Sequence, residues 1–275
     1  KRLNKIFSEQ PELYDKDVTK DIEIQGNIKF DNLSFSYNDE EETVLKDINL
    51  EIKPGQTVAF LGKTGSGKTT LINLLLRLFN VNDGELFIDG YDINKVPIKQ
   101  LRSEIGIVPQ DNFLFSSTIG ENIAFFDPDN IDEKEIKLAA KVTEVYDNIM
   151  GFPNKFDTIL GERGVTLSGG QKQRISMARA IVKRPKVLIL DDSFSAVDTH
   201  TEEKILNNLK PIMKDRTVVL VSHRISTIKN ADMIYVLDQG KILERGTHEE
   251  LIENDKLYND IYQKQQLEEK IANIN

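Results

Sequence analysis

Residues 62–69 read GKTGSGKT and fit the pattern G-x-x-x-x-G-K-[ST]. Glycines at Gly62, Gly65 and Gly67 free the backbone to fold into a nest of N–H groups around phosphate oxygens. A helix starting after the loop aims its positive N-terminus at the same anion. Lys68 is then placed to reach the β- and γ-phosphates and Thr69 to offer its hydroxyl to Mg²⁺, with Lys63, Thr64, Ser66 and Thr70 completing the cradle. A glycine-rich turn could match by chance. Against that, the strand-like TVAFLG runs into the loop and the helix-like LINLLLRLF follows it.

A second stretch, LILDDSFSAVD at residues 188–198, is an apolar run that stops on two carboxylates, Asp191 and Asp192. Alone, Asp191 could be an ordinary capping acid. Beside a phosphate loop, a carboxylate at a strand end reads as a Mg²⁺ holder. A third, LSGGQKQR at residues 167–174, opens a helix with Ser168, Gly169, Gly170 and Gln171. A cap hydroxyl, exposed N–H groups and a helix dipole make it a second anion site, or only a tight turn before a helix.

The elements that must position these groups follow from periodicity. Alternation in NIKFDNLSFSY, then INLEI, TVAFLG, GELFIDG and IGIVPQ, predicts strands; residues 131–150 are helical in period. A long helix is expected from Ser168 to about Lys183, then the strand VLIL, a helix from Thr201, the strand TVVLVS, and a last strand MIYVL before an amphipathic tail. Thr247 with Glu250 forms a capping box opening a terminal helix. Strands interleaved with helices make an α/β fold, with residues 105–183 enriched in helix as a subdomain.

The chain has 275 residues, enough for one large domain or two modest ones; 39% hydrophobic and 29% charged residues describe a globular protein. A net charge of −9 disfavours nonspecific nucleic-acid binding. The absence of cysteine excludes disulfides and thiolate metal sites and is compatible with a reducing compartment. No apolar run approaches the roughly 20 residues that span a bilayer. Residues 1–22 are polar and read as a connector, and a start at Lys1 without a signal peptide suggests a piece of a longer chain.

With the 62–69 loop, LSGGQ and Asp191 in this order, the sequence resembles the ATP-binding cassette (ABC) family, in particular the nucleotide-binding domain of an exporter half-transporter, from about Asn27 to Tyr262. The resemblance implies a P-loop NTPase core with a mixed sheet, an N-terminal antiparallel β subdomain and a helical subdomain carrying the signature motif. It implies a linker at 1–22 from a transmembrane domain, and a nucleotide-binding domain over 23–275. ATP and Mg²⁺ are the implied ligands, with Ser168 to Gln171 contacting the γ-phosphate of ATP held by a partner domain in a head-to-tail dimer. Tyr37 matches the aromatic that stacks on adenine, although a strand aromatic in the core reads equally well from the residues alone. Gln110 matches the glutamine that senses Mg²⁺ and couples to the transmembrane domain, His223 the switch histidine, and residues 195–198 the loop crossing the dimer interface. Glu162 matches a segment touching the coupling helices; His200 and His248 match no site and are expected at the surface. The implied location is the cytoplasmic face of the cell membrane.

One position departs from the family pattern. The residue after the Mg²⁺-binding aspartate is usually glutamate, the base or water-positioning group, and here it is Asp192, one methylene shorter. Misplacement on the order of 1 Å can cost about 10²-fold in rate. The resemblance therefore suggests one chain of an asymmetric pair, with a slow site of its own and an intact LSGGQ serving the partner's; the alternative is a homodimer in which Asp192 suffices. A soluble relative acting on nucleic acid or ribosomes calls for a coiled-coil insertion, a basic face or a second cassette, none of which is visible. A module that closes on ATP without useful hydrolysis stays open because of Asp192, while Gln110, His223 and the intact signature weigh against it.

Overall fold

The computed structural model describes residues 13–15, 17–19, 22–38, 42–161 and 166–272. Glu162 lies outside the described residues, as does most of the expected linker.

Two kinds of strand pattern produce two sheets. Strands β1 (Ile28–Phe35) and β2 (Leu45–Ile52) alternate buried with exposed residues, and so bury one face. They pair antiparallel, and with β4 (Leu86–Ile88) and β5 (Tyr91–Asp92) form a four-stranded sheet in the order β2-β1-β4-β5. Strands β7 (Val187–Asp191) and β8 (Thr217–Val221) are buried at every position, as expected of strands covered on both faces. With β3 (Thr57–Leu61), β6 (Ile105–Val108), β9 (Met233–Asp238) and β10 (Lys241–Gly246) they form a sheet in the order β10-β9-β3-β8-β7-β6, parallel except for β10.

Helices fill the connections: α1 (Lys68–Leu75), α2 (Ile98–Ser103), α3 (Ile119–Ile123), α4 (Glu133–Val142), α5 (Tyr146–Met150) and α6 (Gly169–Val182), then α7 (Thr199–Met213), α8 (Ile225–Ile228), α9 (His248–Glu253) and α10 (Leu257–Ala272). Ile189, Val219 and Leu237 face a core shared with the antiparallel sheet and α1. Their neighbours Leu188, Leu190, Val218 and Val236 face a second core with α6, α7 and Tyr258. A third core gathers α3, α4 and α5 against Ile175, Ala178 and Val182 of α6, while Met177, Ala180 and Ile181 of the same helix enter the second core. Helix α6 is thus the shared wall between the sheet and the helical segment.

Three expectations change. The helix after the glycine-rich loop ends at Leu75 rather than running through LRLF, because Arg77 turns left-handed (φ 49°) and buries its guanidinium against Asp15 and the Val96 carbonyl. MIYVL is not the last strand. Gln239 and Gly240 both have positive φ (46° and 78°), the geometry of a two-residue hairpin turn, and return the chain as β10. His248 is half-buried, with Nδ1 2.7 Å from the hydroxyl of the fully buried Tyr258, whereas His200 is exposed.

The hairpin turn is packed without room for a side chain. A Cβ on Gly240 would stand 2.1 Å from the Val44 carbonyl oxygen, in a backbone conformation that already disfavours one. Gly240→Ala is therefore expected to destabilise the fold by about 3 kcal/mol, read as a lower urea midpoint at an unchanged m-value.

Candidate nucleotide site

The loop after β3 is shaped by its glycines for two different reasons. Gly65 (φ 82°) and Gly67 (φ 104°) adopt left-handed conformations, and Gly67 sits at the N-cap of α1. Gly62 is needed for space, since a Cβ there would lie 2.3 Å from the Leu237 carbonyl oxygen. Lys68, in the first turn of α1, is buried, and its Nζ donates to the carbonyls of Gly62 (2.7 Å) and Lys63 (2.8 Å) and to Ser66 Oγ (3.2 Å). Thr69 is exposed toward the same cavity, and the buried Thr70 shares a 2.9 Å hydrogen bond with the Tyr37 hydroxyl. Tyr37 is not a core residue: its ring, edge-on to Phe35 and Phe79, is 38% exposed beside the loop.

Neighbouring parallel strands end on one edge, and the chain segments leaving them meet there. A cavity of about 200 Å³ is lined by Thr64, Gly65 and residues 67–70 after β3, and by Gln110 after β6. Asp191 and Asp192 line it from the end of β7, and His223 from beyond β8. Asp191 is 5% exposed. Asp192 lies in the left-handed region (φ 45°), which aspartate tolerates better than most residues, and its N–H donates to the Val221 carbonyl at 2.8 Å.

Residues 168–171 do not line this cavity. Ser168 caps α6, its Oγ accepting the Gln171 N–H (3.2 Å) while Gln171 Oε1 accepts the Ser168 N–H (2.9 Å). A Cβ on Gly170 would meet the Ala196 carbonyl oxygen at 2.7 Å, so the helix start packs directly on the 195–198 loop. Gln173, which the sequence did not single out, fixes that packing. Its Nε2 donates to Ser195 Oγ (2.8 Å) and its Oε1 accepts the Ala196 N–H (2.9 Å), with the side chain buried. Only its place one turn into the helix could have marked it. Asp198 caps α7 through the Thr201 N–H, so that helix starts two residues earlier than expected.

A family profile described as ABC transporter matches residues 45–195. The chain belongs to the ABC transporter family. It is 50% identical over 247 residues, 90% of its length, to a putative multidrug export ATP-binding/permease protein of Staphylococcus aureus, of which it covers 43%. It is 45% identical over 255 residues to the heavy metal tolerance protein of Schizosaccharomyces pombe, covering 92% of this chain and 30% of that one. A bacterial Atm1-family ABC exporter solved with ATP bound superimposes with a TM-score of 0.90 at 38% identity, over 96% of this chain and 46% of that one. The chain thus spans less than half the length of these relatives.

An ABC ATPase domain binds ATP, and the charges here fit polyphosphate. Burial pushes the Lys68 ammonium below its usual range, opposed by Asp191 and Asp192. Burial, reinforced by the charge of Asp192 and offset by Lys68, raises the Asp191 carboxyl to about 6. Well below pH 4 both folded and unfolded chains carry this acid protonated. Above pH 6 the folded ABC domain must hold a buried anion that the unfolded chain hydrates, so the stabilising contribution present in acid is lost as pH rises through about 6. Asp191→Asn should therefore stabilise the nucleotide-free domain by about 2 kcal/mol at pH 8 and by well under half of that at pH 4. Urea unfolding at the two pH values tests this, and an equal gain at both would contradict it.

Proposed function

We propose that this chain is the ATP-binding and ATP-hydrolysing motor of an exporter, dimerising head to tail around Mg-ATP at the cytoplasmic face of a membrane. The observation that carries this reading is the convergence of Lys68, Gln110, Asp191, Asp192 and His223 on one cavity from four chain segments. Lys68 and the N–H groups of residues 62–67 bind the phosphates, and the exposed face of Tyr37 takes the adenine. His223 meets the γ-phosphate, and Asp192 orients the attacking water. Among the described residues no three His, Asp or Glu side chains converge as a closed metal site. Thr69, Gln110 and Asp191 would hold a divalent cation, which when bound would neutralise charge on the reacting phosphoryl group.

Two further features support the partners. Ser168 to Gln171 do not line their own chain's cavity, which suits an anion site offered to the nucleotide of a second domain. Phe113, Phe115, Phe125 and Phe126 form an exposed aromatic patch beside Arg179, beyond Gln110. That patch suits helices of the permease part carried by the relatives, since exposed aromatic clusters mark interaction surfaces. Among the described residues no helix is long and apolar enough to cross a membrane.

Asp192 supports the finer reading of an asymmetric pair, in which this chain's own ATP turns over slowly and its signature helix serves a competent partner site. A homodimer in which Asp192 suffices is the alternative, and a module that closes on ATP without hydrolysis is the limiting case. Lys68→Ala should lower ATP affinity by about 10-fold or more in every version, measured by equilibrium titration. Asp192→Glu separates them. A rise in ATPase rate of about 10-fold or more supports the slow site. An active wild type with little gain from glutamate supports the homodimer.

A further inference from the structure

The cavity's histidine sits on a short segment whose position is set by residues outside the cavity. His223 is exposed, two residues past the end of β8, with no strand pairing of its own to hold it. On one side Ser222 Oγ accepts the Arg224 N–H (3.0 Å), and Arg224 Nη1 donates to the buried Glu202 of α7 (2.9 Å). On the other side stands Gln265 of the terminal helix α10. Its Nε2 donates to the His223 carbonyl (2.6 Å), and its Oε1 accepts the Ile225 N–H (2.9 Å). A backbone N–H can only donate and a carbonyl only accept, so this pair of contacts also fixes which way the amide points. One carboxamide thus pairs with residues 223 and 225 much as a neighbouring strand would.

The helix is well placed to deliver that amide. Leu257, Tyr258, Ile261 and Tyr262 turn one face of α10 onto the second core, with Tyr258 fully buried and its N–H bonded to Glu244. Gln265 continues the same face by one more turn, at the point where the core ends and the 222–225 segment begins. Leu267 and Ile271, beyond it, are 60% exposed. The apolar anchor therefore holds the helix, and the amide at its edge reaches the cavity segment.

We propose that Gln265 is a positioning residue for His223, so that the terminal helix sets how far the imidazole reaches toward the γ-phosphate. This rests on the reading of His223 given above. Gln265→Met keeps the length of the side chain and the helix while removing both hydrogen bonds. Gln265→Glu keeps an acceptor for Ile225 but sets a carboxylate oxygen against the His223 carbonyl.

Affinities for the Mg²⁺ complexes of ADP and of the non-hydrolysable ATP analogue with a β,γ-imido bridge should be measured in the intact protein. The proteins compared are wild type, both Gln265 variants, His223→Ala and His223→Ala/Gln265→Met. Gln265→Met loses both hydrogen bonds to backbone and Gln265→Glu replaces one of them with a repulsive contact, so each is expected to weaken the ATP analogue by about five- to tenfold, with ADP affinity within about twofold of wild type. The double variant should bind no more weakly than His223→Ala, because Gln265 acts through that residue. Equal losses for both nucleotides, additive losses in the double variant, or no loss at all would overturn the inference while leaving His223 in its role. If His223→Ala itself leaves the preference for the third phosphate intact, the reading of His223 falls first and this inference falls with it. The two failures are thereby told apart.

Discussion

A backbone that comes within contact distance of another backbone leaves no room for a side chain, and the phosphate loop is held by such approaches. Gly62 lies against the Leu237 carbonyl, and Gly67 lies close to both Leu45 and Gly240. Gly240 in turn is pressed against Val44, donates its N–H to the Ser66 carbonyl (3.2 Å) and accepts the Lys46 N–H (2.8 Å). The β9–β10 turn therefore sits between the loop and the antiparallel sheet and ties the two sheets together beside the proposed phosphate site. An anion cradle made of N–H groups works only if those groups are fixed before the anion arrives. Here the fixing is done by packing behind the loop, and Gly62 and Gly67 are what packing at that distance requires.

The second constraint is charge held by buried side chains. Lys68, Asp191 and Asp192 share a small cavity, and burial pushes the lysine and Asp191 toward their neutral forms while the opposite charges pull them back. Such a cluster costs stability in the absence of ligand. In the proposed function, polyphosphate and a cation would add the charges that the cluster lacks, so the tension in the protein alone would be a source of affinity for the complex.

Two side-chain amides link separate elements on either side of the cavity. Gln173 joins the start of α6 to the 195–198 loop, and that loop follows directly from Asp191 and Asp192. Helix α6 also divides its apolar residues between two cores. One buried amide thus joins the helical segment to the loop beside the carboxylates. Gln265 has the corresponding position on the other side of the cavity, between α10 and the histidine segment.

By itself, the sequence determined what depends on near neighbours. The alternation of β1, the unbroken apolar run of β7, the glycine spacing of residues 62–67 and the capping pairs at Ser168 and Thr247 are all decided within a few residues, and they specify an α/β chain with a phosphate loop. Tertiary structure decided the rest. The early end of α1 at Arg77 depends on a guanidinium buried against Asp15, 62 residues away, and the reason for Gly62 lies at Leu237. The hairpin that adds β10 was signalled only by Gln239-Gly240, a pair whose two left-handed conformations are visible once the strands are paired. Gln110, Asp191 and His223 are far apart in the chain and come together because β6, β7 and β8 lie side by side in parallel with their ends on one edge. Strand order is set by long-range packing that no local pattern encodes, so a cavity assembled from strand ends becomes visible only in the folded chain.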